Sequence, residues 1–142
     1  MFTVLYVDIV DSMKVGMTIQ KLNAFFAKTV PFVMTMDGAI EKYTGDGFIA
    51  FWYPDRQSQV ESIASSVREA APYPCRMGIF TGEGEIGEVG IPKRKEVQLI
   101  GEAIIVANAL RKIAQPGEIL CGDKQSRLQL EIKGKKYSFK RI

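Results

Sequence analysis

The order of apolar runs along the chain predicts an α+β domain with a ferredoxin-like core, β-α-α-β-β-α-β. It implies an antiparallel-rich sheet with helices packed on it and an extra hairpin at the C-terminus. Three observations carry this. The chain opens on a short β-branched run, Phe2 to Ile9 (FTVLYVDI). Two further strand patterns, Ala39 to Tyr43 and Phe48 to Trp52, flank Thr44-Gly45-Asp46-Gly47 and read as a hairpin with an Asp-Gly turn. Between and after these lie segments of helical period.

The first helical segment extends from about Met13 to Met36, with Leu22, Phe25, Phe26, Val30 and Val33 near helical spacing. Pro31 is expected to split it into two helices. Asp37-Gly38 marks the turn before the hairpin. Gln57 to Ala71 predicts an amphipathic helix through Val60, Ile63, Ala64 and Val67, stopped by Pro72 and Pro74. CRMGIFTGEGEIGEVG then reads as a strand, a glycine-rich turn and a second strand running to about Ile100. Glu102 to Ala114 predicts a helix that is apolar on most of its circumference, a pattern expected to be buried, in part against another subunit. Gln115-Pro116-Gly117 stops it. GEILCG is a short strand, and Leu128 to Ile142 a hairpin around Lys133-Gly134-Lys135.

With 142 residues, 46% hydrophobic and 25% charged, the chain is expected to form one domain over 1–142 with a core of its own. Its two cysteines, Cys75 and Cys121, have no metal-like spacing and read as buried free thiols of a reducing compartment. No signal peptide precedes Phe2 and no apolar run approaches membrane-spanning length, so a cytoplasmic location without membrane attachment is expected. The net charge is +3, with a basic cluster at Lys133, Lys135, Lys136, Lys140 and Arg141. Apolar residues interleave with it at period two, which fits the solvated face of a final strand better than a nucleic-acid site.

The chain has no histidine. Ser-His-Asp and Cys-His nucleophiles and His-ligated zinc are therefore excluded, and a bound metal must sit on carboxylates, which favour Mg²⁺ or Mn²⁺. Asp8, at the end of the first strand, and Asp46, at the hairpin tip, are the candidates. They converge if the first strand lies beside the hairpin, and two ions bridged by such a pair can activate a ribose hydroxyl and stabilise leaving pyrophosphate. Spacing alone leaves a plainer reading open, with Asp46 a turn former and Asp8 a helix cap.

LYVDIVDS followed by GAIEKYTGDGFIAFW resembles the opening of class III adenylate/guanylate cyclase catalytic domains. RMGIFTGEGEIGEVG, QLIGEAIIVANALRKIAQPGEIL and LEIKGKKYSF resemble the remaining blocks, in order, so that the likeness spans about residues 3 to 140. It implies a phosphorus–oxygen lyase that converts a nucleoside triphosphate to a 3′,5′-cyclic nucleotide and pyrophosphate with two Mg²⁺ or Mn²⁺ ions. The resemblance makes Asp8 and Asp46 the metal aspartates and Ile9 the residue whose carbonyl reaches the metal. Val10, Asp11, Ser12 and Met13 become the triphosphate cradle, at a helix N-terminus. Arg76 and Lys133 become phosphate contacts. Lys42 and Gln98 become base readers, with ATP the expected substrate because Lys42 is retained. It also implies a homodimer with shared active sites, metal ligands from one chain and base readers from the other.

Two catalytic positions of that family depart from its pattern. The ribose-positioning asparagine falls at Ile105 and the transition-state arginine at Ala109, neither of which donates a hydrogen bond. Asn108, on nearly the same helical face as Ile105, is the candidate replacement. A catalytically degenerate module that binds nucleotide or dimerises, and a palm-type nucleotidyltransferase making cyclic oligonucleotides, are the two alternatives.

Overall fold

The computed structural model describes residues 1–142. Four strands form the heart of the sheet: β1 (Phe2–Ile9), β2 (Ala39–Thr44), β3 (Gly47–Trp52) and β4 (Cys75–Gly82). With helices α1 (Ile19–Met34) and α2 (Gln57–Ala70) they run β1-α1-β2-β3-α2-β4. β1 lies antiparallel between β3 and β4, as the ferredoxin-like expectation requires. The chain continues through β5 (Glu85–Ile91), β6 (Arg94–Ile100), α3 (Glu102–Ile113), β7 (Ile119–Gly122), β8 (Leu128–Ile132) and β9 (Lys135–Arg141). β7 adds to β4 in parallel, and the C-terminal hairpin completes a seven-stranded sheet in the order β2-β3-β1-β4-β7-β9-β8. β5 and β6 form a separate two-stranded arm.

Strand alternation sorts the core into two layers. Leu5, Val7 and Ile9 of β1 point to one face with Phe48, Ala50 and Trp52 of β3 and Met77 and Ile79 of β4. There they meet Phe25 and Val33 of α1 and Val60, Ile63, Ala64 and Val67 of α2. Phe2, Val4 and Ile49 point to the other face, against Ala103 and Ala107 of α3. Val106 and Leu110 of α3 pack nearby on Leu120 and Phe139. The third helix thus covers the face opposite to the other two.

Several local expectations change. The segment before β2 holds one helix where two were expected. Thr18 caps α1 by accepting from the Lys21 amide, and Ser12 to Gly16 form turns. Pro31 lies in the last turn, where its missing N–H forfeits one bond while Phe25, Thr29 and Val33 remain buried. The long strand expected up to Ile100 folds back on itself at Pro92-Lys93 to make β5 and β6. The β2–β3 turn consists of Gly45 and Asp46, with Thr44 paired to Gly47 as the first residue of β3. Gly47 is needed for packing: a Cβ there would lie 2.8 Å from the Val7 carbonyl carbon and 3.0 Å from Asp8 Cα. The last hairpin turns on Lys133 and Gly134, both with positive φ (48° and 85°), as a type I′ turn requires.

α3 is apolar around most of its circumference, yet only one face is covered. Ala103, Val106, Ala107 and Leu110 are buried, while Ile105 is 55% exposed. The helix rides close over β4 at Gly78, where an added Cβ would run into the Ala107 carbonyl and lie 2.7 Å from the Arg111 amide nitrogen. Both atoms are backbone, so neither can swing away. Gly78→Ala is expected to lower stability by about 2 kcal/mol or more through overpacking. Gly87→Ala, in open space on β5, is expected to change it by less than about 0.5 kcal/mol. Denaturant unfolding of the two variants checks this, and equal midpoints would refute the role given to Gly78.

Candidate functional site

Asp8 is the penultimate residue of β1 and Asp46 sits at the β2–β3 tip, and the β1–β3 register pairs Asp8 with Gly47. The Ile9 amide donates to the Asp46 carbonyl at 2.8 Å, which pins the tip against the end of β1. The Asp46 carboxyl, which accepts from the Thr44 hydroxyl at 3.5 Å, is near enough to act on the ionisation of Asp8. Burial first, then the hydrogen bond and negative charge of Asp46, raise the Asp8 pKa from 3.8 to about 6, against the opposing pull of Arg111. The strand-end and hairpin-tip placement therefore brings the pair together as expected.

The cradle segment has a different form from the one expected. Val10 to Met13 do not open a helix, because α1 starts at Ile19 and the intervening residues form turns. Asp11 adopts a left-handed conformation (φ 50°). The amides of Lys14 and Val15 donate to the Asp11 carbonyl, whereas those of Asp11, Ser12 and Met13 have no backbone acceptor. Three consecutive free N–H groups can bind an anion without a helix. An open groove of about 450 Å³ lies between this loop and Gly45 of the hairpin tip.

Arg76 stands directly across from Asp8 on β4, and its Nε is buried without an acceptor. Lys42 is exposed on the edge strand β2. Gln98 is half-buried on β6. The side chain of Glu41 accepts from the Leu99 amide at 3.3 Å, so the segments carrying Lys42 and Gln98 are tied together. Lys133 is remote from the aspartates, in the turn between β8 and β9 at the far edge of the sheet. The nearby basic residues are mostly paired with acids: Lys135 with Glu102, Lys140 with Glu61 and Arg141 with Glu118. Burial pushes both cysteine thiols up to about 12, which leaves them unreactive.

Sequence reasoning missed Arg111. Its guanidinium donates from Nη1 to Asp8 Oδ2 at 3.3 Å, donates from Nη2 to the Asn108 side-chain oxygen, and lies 4.9 Å from the centre of the Tyr6 ring. Asn108 is therefore engaged within its own chain, by Arg111. The available signal was positional: Arg111 follows buried Ala107 by one helical turn and Asn108 by three residues.

Solved structures resemble this arrangement over nearly the whole chain. The adenylyl cyclase CyaB from P. aeruginosa superposes with a TM-score of 0.84 at 20% identity, covering 99% of this chain and 92% of that one. The guanylate cyclase domain of RhGC from Catenaria anguillulae, solved with GTP, gives 0.79 at 16% identity, covering 97% and 93%. The chain has the fold of a class III adenylyl/guanylyl cyclase catalytic domain. No protein-family model matches the sequence. An uncharacterized protein of Mycobacterium tuberculosis is 31% identical across 87% of this chain and 25% of its own length. A second from the same species is 29% identical across 82% and 25%. The chain thus spans about a quarter of the curated relatives it matches. No helix of this cyclase fold is long and apolar enough to cross a membrane.

Two hard carboxylates beside one another, with the proton affinity of Asp8 raised by burial and then by Asp46, suit a divalent cation. A pH prediction follows for the metal-free protein. Unfolded Asp8 ionises near 3.8, whereas folded Asp8 keeps its proton to about 6. A raised acid pKa destabilises the fold as pH climbs through that window, and the loss is complete above it. In EDTA, the melting temperature of Asp8→Asn relative to wild type is expected to rise between pH 4 and 6 and then level off. A difference that does not vary with pH would refute the raised pKa of Asp8.

Proposed function

We propose that this domain is a nucleotidyl cyclase, acting on a nucleoside triphosphate, with ATP the first candidate. The observation that carries this reading is the convergence of Asp8 and Asp46 at the end of β1 in a chain with the cyclase fold. Asp8 and Asp46, with the Ile9 carbonyl, would hold Mg²⁺ or Mn²⁺, which supplies charge neutralisation and activation of the attacking ribose hydroxyl. The free amides of Asp11, Ser12 and Met13 would orient the triphosphate. Arg76 would take a phosphate oxygen with its unpaired donors. Lys42 and Gln98 would read the base, Gln98 as both donor and acceptor.

A second copy of the chain completes the proposed site. Lys42 and Lys133 lie towards opposite edges of the sheet and cannot both serve the aspartates of their own chain. The β5–β6 arm exposes Ile86, Val89, Ile91 and Val97, and α3 exposes Ile105. An apolar surface of this kind suits a partner copy. We place the domain in the cytoplasm, where nucleoside triphosphates are supplied. A catalytically weakened domain is the second reading, favoured by Ile105 and Ala109, which put no donor on the open face of α3.

Incubation with each of the four nucleoside triphosphates and Mn²⁺, followed by mass spectrometry, tests the reading. Cyclic AMP and pyrophosphate are the expected products, and Asp46→Asn is expected to reduce turnover by at least about 10²-fold. Linear or cyclic oligonucleotides would replace the cyclase reading with nucleotidyl transfer. No product and no nucleotide binding would remove both.

Ile105 is 55% exposed, Ala109 is half-buried, and neither side chain can donate a hydrogen bond. Ile105→Asn with Ala109→Arg is therefore expected to raise cyclase turnover by roughly tenfold or more, with each single change giving less. Light scattering should first show the wild type and the double variant as dimers. A dimeric double variant that binds ATP but turns over no faster would contradict the missing-donor explanation.

A further inference from the structure

Arg111 is not one of the residues that the cyclase resemblance assigns to the site, yet it is the only cation that touches a candidate metal ligand. Its side chain is 19% exposed and that of Asp8 is 13% exposed. The guanidinium is held from three directions: by Asp8, by the Asn108 side-chain oxygen and by the Tyr6 ring. All three partners belong to the same chain. An arginine fixed in this way has given up both hydration and side-chain freedom, unlike a solvated surface lysine. A partly buried pair of this kind is also screened far less than a surface one.

We infer that Arg111 is a positioning residue for Asp8, the resident counter-cation that holds its carboxylate beside Asp46 and must yield Oδ2 when a divalent ion arrives. The inference rests on the reading of Asp8 and Asp46 as the divalent-ion site. Above the pH at which Asp8 loses its proton, two carboxylates side by side repel each other, and a positive charge offsets that repulsion. Before a divalent ion arrives, Arg111 supplies that charge. Afterwards the guanidinium and the ion are like charges competing for one oxygen. The Asn108 and Tyr6 contacts give Arg111 a place to stay once Oδ2 is surrendered, so release of the carboxylate need not unseat the side chain.

The origin of this contact is geometric. Gly78 lets the α3 backbone settle onto β4 at Ala107 and Arg111. Tyr6 and Asp8 alternate onto that same face of β1, beside the residue that has just been brought down. Arg111 therefore works within its own chain, whereas the open positions Ile105 and Ala109 carry no donor outward.

The test is a Mn²⁺ titration of the full chain without nucleotide at pH 8, read by the electron paramagnetic resonance of free Mn²⁺. Arg111→Gln removes the charge and keeps a hydrogen-bonding side chain, and is expected to bind Mn²⁺ roughly tenfold more tightly than wild type. Arg111→Lys keeps the charge and is expected to bind close to wild type. Asp46→Asn is expected to lose the binding. Without metal, Arg111→Gln should melt below wild type, and Mn²⁺ should raise its melting temperature by more. If Arg111→Gln does not fold, Arg111→Met keeps the stem over Tyr6 and makes the same comparison. Unchanged or weaker binding in the neutral variants overturns the inference, as does Arg111→Lys behaving like Arg111→Gln. Binding that Asp46→Asn abolishes but the neutral variants leave unchanged refutes Arg111 alone. Absence of any Mn²⁺ binding that depends on Asp46 refutes the metal site and this inference together.

Discussion

The closeness of backbone to backbone around β1 is the constraint on which the rest of the site depends. On one side, Gly47 lets β3 lie against Val7 and Asp8. On the other side of the sheet centre, Gly78 lets α3 settle onto β4. The first approach places the hairpin tip, and with it Asp46, against the end of β1. The second brings Arg111 down to Asp8 and Tyr6. A side chain at either glycine would meet main-chain atoms, which cannot rotate out of the way, so the two glycines fix distances that polar side chains could not fix for themselves.

The electrostatics of the site follow from that geometry. Asp8 is desolvated because it lies near the end of a central strand under a helix, and it meets Asp46 because the tip is pinned there by the Ile9 amide. Burial and a neighbouring acid both work against its ionisation, and the single guanidinium of Arg111 only partly offsets them. A site with unbalanced negative charge of this kind is suited to cations and, through them, to phosphates. The three free amides of the 11–13 loop supply the complementary anion-binding surface a few residues further along the chain.

Helix α3 divides its residues between a buried and an open surface. α3 turns Ala103, Val106, Ala107 and Leu110 inward and leaves Ile105 outward. Arg111 turns back to Asp8 of its own chain, and Asn108 accepts from Arg111. Ile105 of α3 and Ile86, Val89, Ile91 and Val97 of the β5–β6 arm are exposed, among charged residues such as Lys112, Glu88 and Lys95.

Local patterns were enough to read the strand ends, the amphipathic helix α2 and the hairpins around Asp46 and Lys133. Each rests on period, turn residues and breakers that act over a few positions. The absence of histidine and the two aspartates at strand and hairpin ends were likewise legible and narrowed the chemistry to carboxylates. The break expected at Pro31 was wrong because burial of Phe25, Thr29 and Val33 holds the last turn of α1 in place. The β5–β6 turn was missed because β5 and most of β6 are exposed, so no burial alternation marks where the chain reverses. Tertiary structure alone decided which face α3 covers, that Gly47 and Gly78 are contact points between elements, and that Arg111 belongs with Asp8. Those facts join residues up to 103 positions apart, and no local periodicity encodes which long-range neighbours a glycine admits or a guanidinium finds.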